Sequence, residues 1–155
     1  MRIGFGYDAH PLKKGKTLIL GGVKIDYEKG LEGHSDADVV IHAVIDSLLG
    51  ASGQGDIGMF FPDNELEWKG ISSLTLLDHI VKLIERKQYK INNIDITVVL
   101  ENPKLIPYYP DMKRNIASVL RIDENNINIK ATTNEGMGYI GKGEGIVAFC
   151  VALLE

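Results

Sequence analysis

His34-Ser35-Asp36-Ala37-Asp38-Val39-Val40-Ile41-His42-Ala43-Val44-Ile45-Asp46 sets two histidines and three carboxylates at the opening of an otherwise apolar run. Ser35 followed three residues later by Asp38 has the form of a capping box. A helix is therefore expected from Ser35, or just after it, to about Gly50, with His34 at its mouth. Val40, Ile41, Val44, Ile45, Leu48 and Leu49 supply its buried side, while Asp38, His42 and Asp46 recur every four residues along the edge of that face. Ionisable groups that border a core are costly to desolvate unless they pair or ligate something. The stripe reads either as a site or as a solvated helix face carrying a hydrogen-bonded histidine.

Upstream of it, residues 1–7 alternate, with Ile3, Phe5 and Tyr7 on one side and Gly4 and Gly6 on the other, which predicts a strand. Asp8 and His10 follow. Residues two apart in an extended chain point the same way, so this pair can present a carboxylate oxygen and an imidazole nitrogen to one ion. His42 adds a third donor. Two neutral imidazoles and a carboxylate with an open fourth position form the pattern of a catalytic zinc site. Cys150 is the only cysteine, which excludes a thiolate site.

Length and composition limit the possibilities. The 155 residues, 45% of them hydrophobic, are expected to fold as a single domain over 1–155 around one core. A net charge of −4 argues against a broad grip on nucleic acid or on an anionic membrane, yet permits a locally basic pocket for a small phosphorylated ligand. A lone cysteine, with no signal peptide or membrane span in the pattern, leads us to expect a cytoplasmic protein.

The remaining elements follow from local signals. A basic turn at 13–16 precedes two short strands, 17–20 and 23–25, joined as a hairpin by Gly21-Gly22. The stretch 53–63, with three glycines and a proline around an apolar knot, reads as an ordered loop, and its Phe60-Phe61-Pro62-Asp63 as a lid or pocket wall. Helical spacing of Leu74, Leu77, Val81 and Ile84 predicts a helix over 72–87, in which His79 is given no role. A buried strand over 94–100 leads into an irregular segment set by Pro103, Pro107 and Pro110 and containing Lys104. A helix over 111–120 and strands over 127–131 and 146–153 complete the set. Between those strands, threonine hydroxyls and glycine N–H groups of 132–145 can wrap phosphate oxygens, Glu135 can hold Mg²⁺ and Lys142 can neutralise an anion. Mobile turns are the alternative for that segment. It matches neither the P-loop nor the dinucleotide fingerprint.

Taken in order, Asp8-Ala9-His10, Gly33-His34-Ser35-Asp36-Ala37-Asp38, His42, Gly55-Asp56-Ile57-Gly58, Phe61-Pro62-Asp63, Lys130-Ala131-Thr132-Thr133 and Gly141-Lys142-Gly143-Glu144-Gly145 closely resemble the 2-C-methyl-D-erythritol 2,4-cyclodiphosphate synthase family along the whole chain. The resemblance implies an α+β, two-layer fold, in which one mixed β-sheet is covered by helices on one face. It also implies a homotrimer whose sheets face the three-fold axis and whose active sites lie between neighbouring subunits. Zn²⁺ would be bound by Asp8, His10 and His42, and a second divalent ion, Mg²⁺ or Mn²⁺, would be placed on the substrate diphosphate by Glu135. His34 and Thr133 match the family's transition-state stabilisers. Ser35, Asp56, Gly58, Phe61 and Asp63 match contacts to the sugar and erythritol parts, and Ala9, Ile57, Pro62, Asn64 and Glu65 extend that wall. Leu100, Lys104, Leu105 and Ile106, with Ala131 and Thr132, match a cytidine pocket. Asn134, Tyr139 and Lys142 complete the substrate contacts, at positions where the resemblance leads us to expect threonine, phenylalanine and arginine. Lysine in place of arginine swaps a bidentate fork for a point charge.

The implied reaction is intramolecular, with the substrate's 2-phosphate displacing CMP from its own cytidine diphosphate group. A metal-dependent phosphohydrolase using the same three ligands to activate water, and a non-enzymatic metal-binding trimer, are the competing readings. Phe5, Tyr7, Val99 and Tyr139 are further expected to line an apolar axial channel with Lys142 near one end, a place where an isoprenoid diphosphate could bind.

Overall fold

Gly4 and Gly6 alternate with Ile3, Phe5 and Tyr7 along β1 (Arg2–Lys14), the strand against which the first long helix is laid. The computed structural model describes residues 1–62 and 65–155. Strand β1 runs well past the expected end at Tyr7, so Asp8 and His10 lie within it. The hairpin follows as predicted, β2 (Leu18–Leu20) pairing with β3 (Val23–Ile25), and β4 (Lys29–Leu31) returns to pair with β1.

Helix α1 spans Val39–Ser52 and begins four residues later than the capping box suggests. The cap is Asp38, whose side chain accepts the N–H groups of Val40 and Ile41 at 3.1 and 3.2 Å. The same carboxylate also accepts those of Gly21 and Gly22, at 3.0 and 2.6 Å. Asp38 is thus a buried clamp between helix and hairpin, and it leaves the polar stripe on which its spacing had placed it. Burial pushes its pKa up to about 6, although the backbone donors work in the other direction.

A single helical turn, α2 (Ile57–Phe60), capped by Asp56, occupies part of the stretch expected to be a loop. Helix α3 (Ser73–Arg86) falls where apolar periodicity put it, and strand β5 (Ile91–Val99) begins three residues before the expected 94. Helix α4 (Tyr109–Leu120) starts two residues before the expected 111, because Pro110 is accommodated in its first turn, where no amide hydrogen is needed. Strand β6 (Ile127–Thr132), the turn α5 (Gly138–Gly141) inside the glycine-rich segment, and β7 (Gly145–Leu154) complete the chain.

The strands form a five-stranded sheet in the order β4-β1-β7-β5-β6, in which β5 and β6 are parallel and the other pairs antiparallel. The mixed sheet with helices matches the expected two-layer α+β fold. Helix α1 lies on β1 and β7, α3 packs on α1, and α4 packs on α3 and β6. The approach of α1 is close enough that a Cβ on Gly4 would overlap the Ser47 carbonyl oxygen, and one on Gly6 that of Ala43. On the opposite face Ile3, Phe5, Tyr7 and Val151 remain exposed, with the Tyr7 and Phe149 rings 5.4 Å apart. No described helix is long and apolar enough to cross a membrane.

Gly6→Ala is expected to lower stability by about 3 kcal/mol or more, since the methyl meets backbone that cannot move away without lifting α1 off the sheet. A denaturant midpoint close to that of the unaltered protein would show that the contact can relax.

Candidate metal centre

Two elements deliver three donor atoms to one point. On β1, Asp8 and His10 share the face turned to the helices. From α1, one turn beyond its cap, His42 reaches down to them. Asp8, His10 and His42 offer donor atoms that all lie within 4.8 Å of one another. The Nδ1 of His42 is 2.9 Å and that of His10 3.0 Å from the same Asp8 oxygen, Oδ2. Only the first of these contacts has hydrogen-bond alignment, and His10 Nδ1 is a buried nitrogen without a partner. A buried ring nitrogen without a hydrogen-bond partner, beside a carboxylate oxygen and a second imidazole, suits a cation better than it suits a hydrogen-bond network. Two nitrogens and one oxygen, with a side left open to a cavity, fit a zinc-type ion with an exchangeable position.

The charges agree with this. Burial alone would raise the Asp8 carboxyl, but the two imidazoles set against it outweigh burial and hold it at about 2. Burial likewise opposes charging of His42, yet the Asp8 hydrogen bond and the charges of Asp8, Asp38 and Asp36 raise its pKa above the ordinary value. Asp46, the last member of the sequence stripe, is shifted upward mainly by burial and accepts the Ile57 N–H at 2.9 Å, which ties α2 to α1.

Of the remaining expected site residues, His34, Ser35, Ile57, Gly58 and Phe61 line a cavity of about 250 Å³ over the three donors, together with Gly33, Trp68 and Leu76. Gly33 is required there, since a Cβ would lie 2.7 Å from the His10 ring. Trp68, which spacing did not single out, stacks edge-on with Phe61 in the cavity wall, and His79, which was given no role, packs edge-on behind Trp68 outside the cavity. Asp56 is occupied as the cap of α2, Pro62 is half-buried, and the Glu65 carboxylate accepts the Trp68 indole N–H at 3.2 Å. Asp63 and Asn64 lie outside the described residues.

The expected nucleotide half gathers elsewhere. Leu100 donates its N–H to Thr132 O at 3.0 Å, and Asn134 N–H reaches the Glu101 carboxylate at 2.7 Å. Leu100 and Leu105 are buried, whereas Lys104, Ile106, Ala131, Thr132, Thr133 and Glu135 are exposed. Thr133 donates its hydroxyl to Glu135 at 3.0 Å. Tyr139 and Lys142 stand beside His10. With Ala9, His10, Lys13, Lys29 and Glu144 they line a second cavity of about 670 Å³. A hydrogen bond donated to Tyr7, together with burial, raises the Tyr139 pKa.

Within one chain the two halves are far apart. Asp8 is in register with Ala148, Ala148 with Val98, and Val98 with Ala131. Three strand spacings at about 4.8 Å each separate Asp8 from Ala131 by roughly 14 Å.

The YgbB family matches residues 1–155. The chain is 56% identical over 154 residues to the 2-C-methyl-D-erythritol 2,4-cyclodiphosphate synthase of Clostridium acetobutylicum, covering 99% of each, and 55% identical to that of Brachyspira hyodysenteriae, covering 100% of this chain and 98% of the other. Among solved structures it is similar to Plasmodium falciparum IspF in complex with CDP, with a TM-score of 0.87 and 42% identity over 99% of this chain and 94% of that one. It also superposes on the bifunctional IspDF of Campylobacter jejuni with a TM-score of 0.95 and 39% identity, spanning 99% of this chain but 42% of that longer one.

The pH dependence follows from the two shifted ligands. His42, raised, stabilises the metal-free fold fully below its ordinary value of 6.5 and loses that contribution as pH rises through its folded value. Asp8, depressed, contributes above 3.8 and is lost only as pH falls toward 2. A cation must displace the His42 proton, so zinc binding near pH 6.5 should release protons and weaken as the solution is acidified. Calorimetry in buffers of different ionisation enthalpy measures this, and a binding heat independent of buffer would contradict it.

Proposed function

Because the chain belongs to the YgbB family and is matched end to end by 2-C-methyl-D-erythritol 2,4-cyclodiphosphate synthases, we infer that it closes 4-diphosphocytidyl-2-C-methyl-D-erythritol 2-phosphate into the 2,4-cyclodiphosphate with release of CMP, as a cyclising phosphorus–oxygen lyase of the non-mevalonate route to isoprenoid precursors. The observation that carries the chemistry is the meeting of Asp8, His10 and His42 below a small, partly apolar cavity. An oxygen of the 2-phosphate forms a bond to the β-phosphorus, the bond from that phosphorus to the bridging α-phosphate oxygen breaks, and the electron pair leaves with CMP. Water is not consumed.

Asp8, His10 and His42 would hold Zn²⁺, and Glu135 a second divalent ion, Mg²⁺ or Mn²⁺, on the diphosphate. When bound, such ions supply charge neutralisation and Lewis-acid polarisation of phosphoryl oxygens. The chain's own part is positioning. Ile57, Phe61, Trp68 and Leu76 wall the cavity and exclude water, which favours the internal phosphate over hydrolysis. His34 and Ser35 stand on its polar side, where the folded substrate turns. Alignment of an internal nucleophile is worth effective molarities of roughly 10⁵ to 10⁸ M, so holding both ends of the substrate supplies much of the rate.

One substrate end belongs on the metal half and the other on the nucleotide half. The roughly 14 Å between these halves within a chain, with the helix layer over the intervening strands, favours a site completed by a neighbouring copy. The exposed face of Ile3, Phe5, Tyr7 and Val151 supplies the apolar surface for such an assembly, proposed as a homotrimer with the sheets turned inward. An isoprenoid diphosphate is a proposed occupant of the axial channel beside Tyr139 and Lys142. The chain is read as one domain over 1–155 and as a cytoplasmic enzyme.

Phosphorus NMR of the purified protein with the substrate, zinc and magnesium tests the reaction. A cyclic diphosphate plus CMP is expected, inorganic phosphate or a linear product would indicate a hydrolase, and no turnover would indicate a binding protein. Thr133→Ala should keep zinc and lower kcat roughly 10-fold or more, as loss of a contact made at the transition state does. An unchanged kcat would return Thr133 to the ordinary strand-end threonines. His42→Ala, dead in the metal half, should complement Ala131→Arg, dead in the nucleotide half. Random mixed trimers are expected to regain about a quarter of the sites, because each interface takes one half from each of two protomers. A mixture no more active than its parents, despite proven subunit exchange, would place each site within one chain.

A further inference from the structure

We propose that Asp36 and Ser73 form a positioning relay that selects the ring nitrogen His42 turns to the metal and locks the imidazole in that orientation. The proposal rests on the reading of Asp8, His10 and His42 as metal ligands and goes beyond it to residues outside that set. His42 presents Nδ1 to the donor cluster, and its other nitrogen, Nε2, lies 3.0 Å from the hydroxyl oxygen of Ser73, a residue with no exposed surface. The direction of that hydrogen bond follows from counting protons. A carboxylate offers acceptors only. Asp36 accepts the Ser73 backbone N–H through Oδ2 at 3.0 Å and the Ser73 hydroxyl through Oδ1. With its hydrogen given to Asp36, Ser73 Oγ can meet His42 only with a lone pair. Nε2 must therefore donate and keep its proton, so the proton that a cation displaces is the one Nδ1 shares with the Asp8 carboxylate 2.9 Å away, and the lone pair so freed is that of Nδ1.

Asp36 is itself held from both sides. Its backbone N–H is bonded to Ile71 O at 3.1 Å, and its Oδ1 also accepts the Asp38 N–H at 3.2 Å. It further serves the start of α3, because Ser72, at the N-cap position, makes no side-chain bond of its own. Ser35 Oγ lies 3.0 Å from Nε2 and receives the Ala37 N–H at 3.2 Å; because Ser73 has given its hydrogen to Asp36, the Ser35 hydroxyl donates to Ser73 Oγ at 3.3 Å and meets Nε2 with a lone pair, so the imidazole N–H is directed into a fork of two hydroxyls, only one of which is backed by a carboxylate. Partners behind a ligating imidazole fix its tautomer and raise its basicity, and their loss typically weakens metal binding by about 10- to 100-fold.

The test compares zinc affinity, measured by chelator competition, in the unaltered protein, Ser73→Ala and Asp36→Asn. Ser73→Ala should weaken zinc binding about 10-fold or more, and Asp36→Asn, which keeps an acceptor but removes the charge, should weaken it less. A purely structural role would lower the denaturation midpoint of the metal-free variants and leave their zinc affinity within about twofold of the unaltered value, which would overturn the relay. Long-range proton–nitrogen NMR of the unaltered zinc-loaded protein gives an answer independent of how the variants fold. A proton on Nε2 of His42 is expected, whereas one on Nδ1 would reject the assignment. An unaltered protein that binds no zinc would remove the metal reading and the relay with it; one that binds zinc normally beside an equally tight Ser73→Ala would remove the relay alone.

Discussion

The contact between α1 and β1 governs the rest of the structure. A helix normally stands off a sheet by the depth of the intervening side chains, but here Gly4 and Gly6 offer none, and the carbonyls of Ala43 and Ser47 occupy the space that side chains would have filled. This close approach lets a histidine on the first turns of the helix touch a carboxylate on the strand. The two glycines, weak strand formers, set the distance at which Asp8 and His42 meet. Stability lost in the strand is offset by Val40, Val44, Leu48 and other fully buried side chains that the helix brings with it.

Much of this was legible in the sequence, and the misreadings have physical causes. Alternation located β1 and showed which face carries the glycines, helical spacing located α1 and α3, and the Asp-x-His pair with His42 gave the donor set. The capping box failed because Ser35 and Asp38 are both short polar residues able to cap, and the choice fell to a tertiary contact. Asp38 also binds Gly21 and Gly22 in a hairpin that spacing cannot place beside it. The turns α2 and α5 are each a single turn among glycines, too short for any period to register. Trp68, Asp36 and Ser73 were silent for a different reason. Their partners are distant in sequence, and one aspartate in an acidic motif looks like another until the acceptors are counted.

The polar stripe on α1 resolves into three residues with three separate roles, although one spacing relates them. Asp38 fastens a hairpin, His42 faces the donor cluster and Asp46 anchors α2. Their charges also act together, since Asp38 and Asp36 add to the pull of Asp8 on the His42 proton. A site meant to receive a cation is therefore electrostatically prepared for it, with the imidazole proton standing in the place where the ion would go.

Strand β7 lies between β1 and β5, and its register joins Arg2 to Leu154. During synthesis on a ribosome β1 emerges before residues 145–154 and must wait for them before it gains its neighbour on that side. Until then Ile3, Phe5 and Tyr7 have no finished sheet to belong to. Such distant pairings slow folding, because the entropy of ordering the chain is lost before the contact is gained. Two of the three donors, Asp8 and His10, are thus borne on a strand whose neighbour on one side is made only after all of the intervening chain.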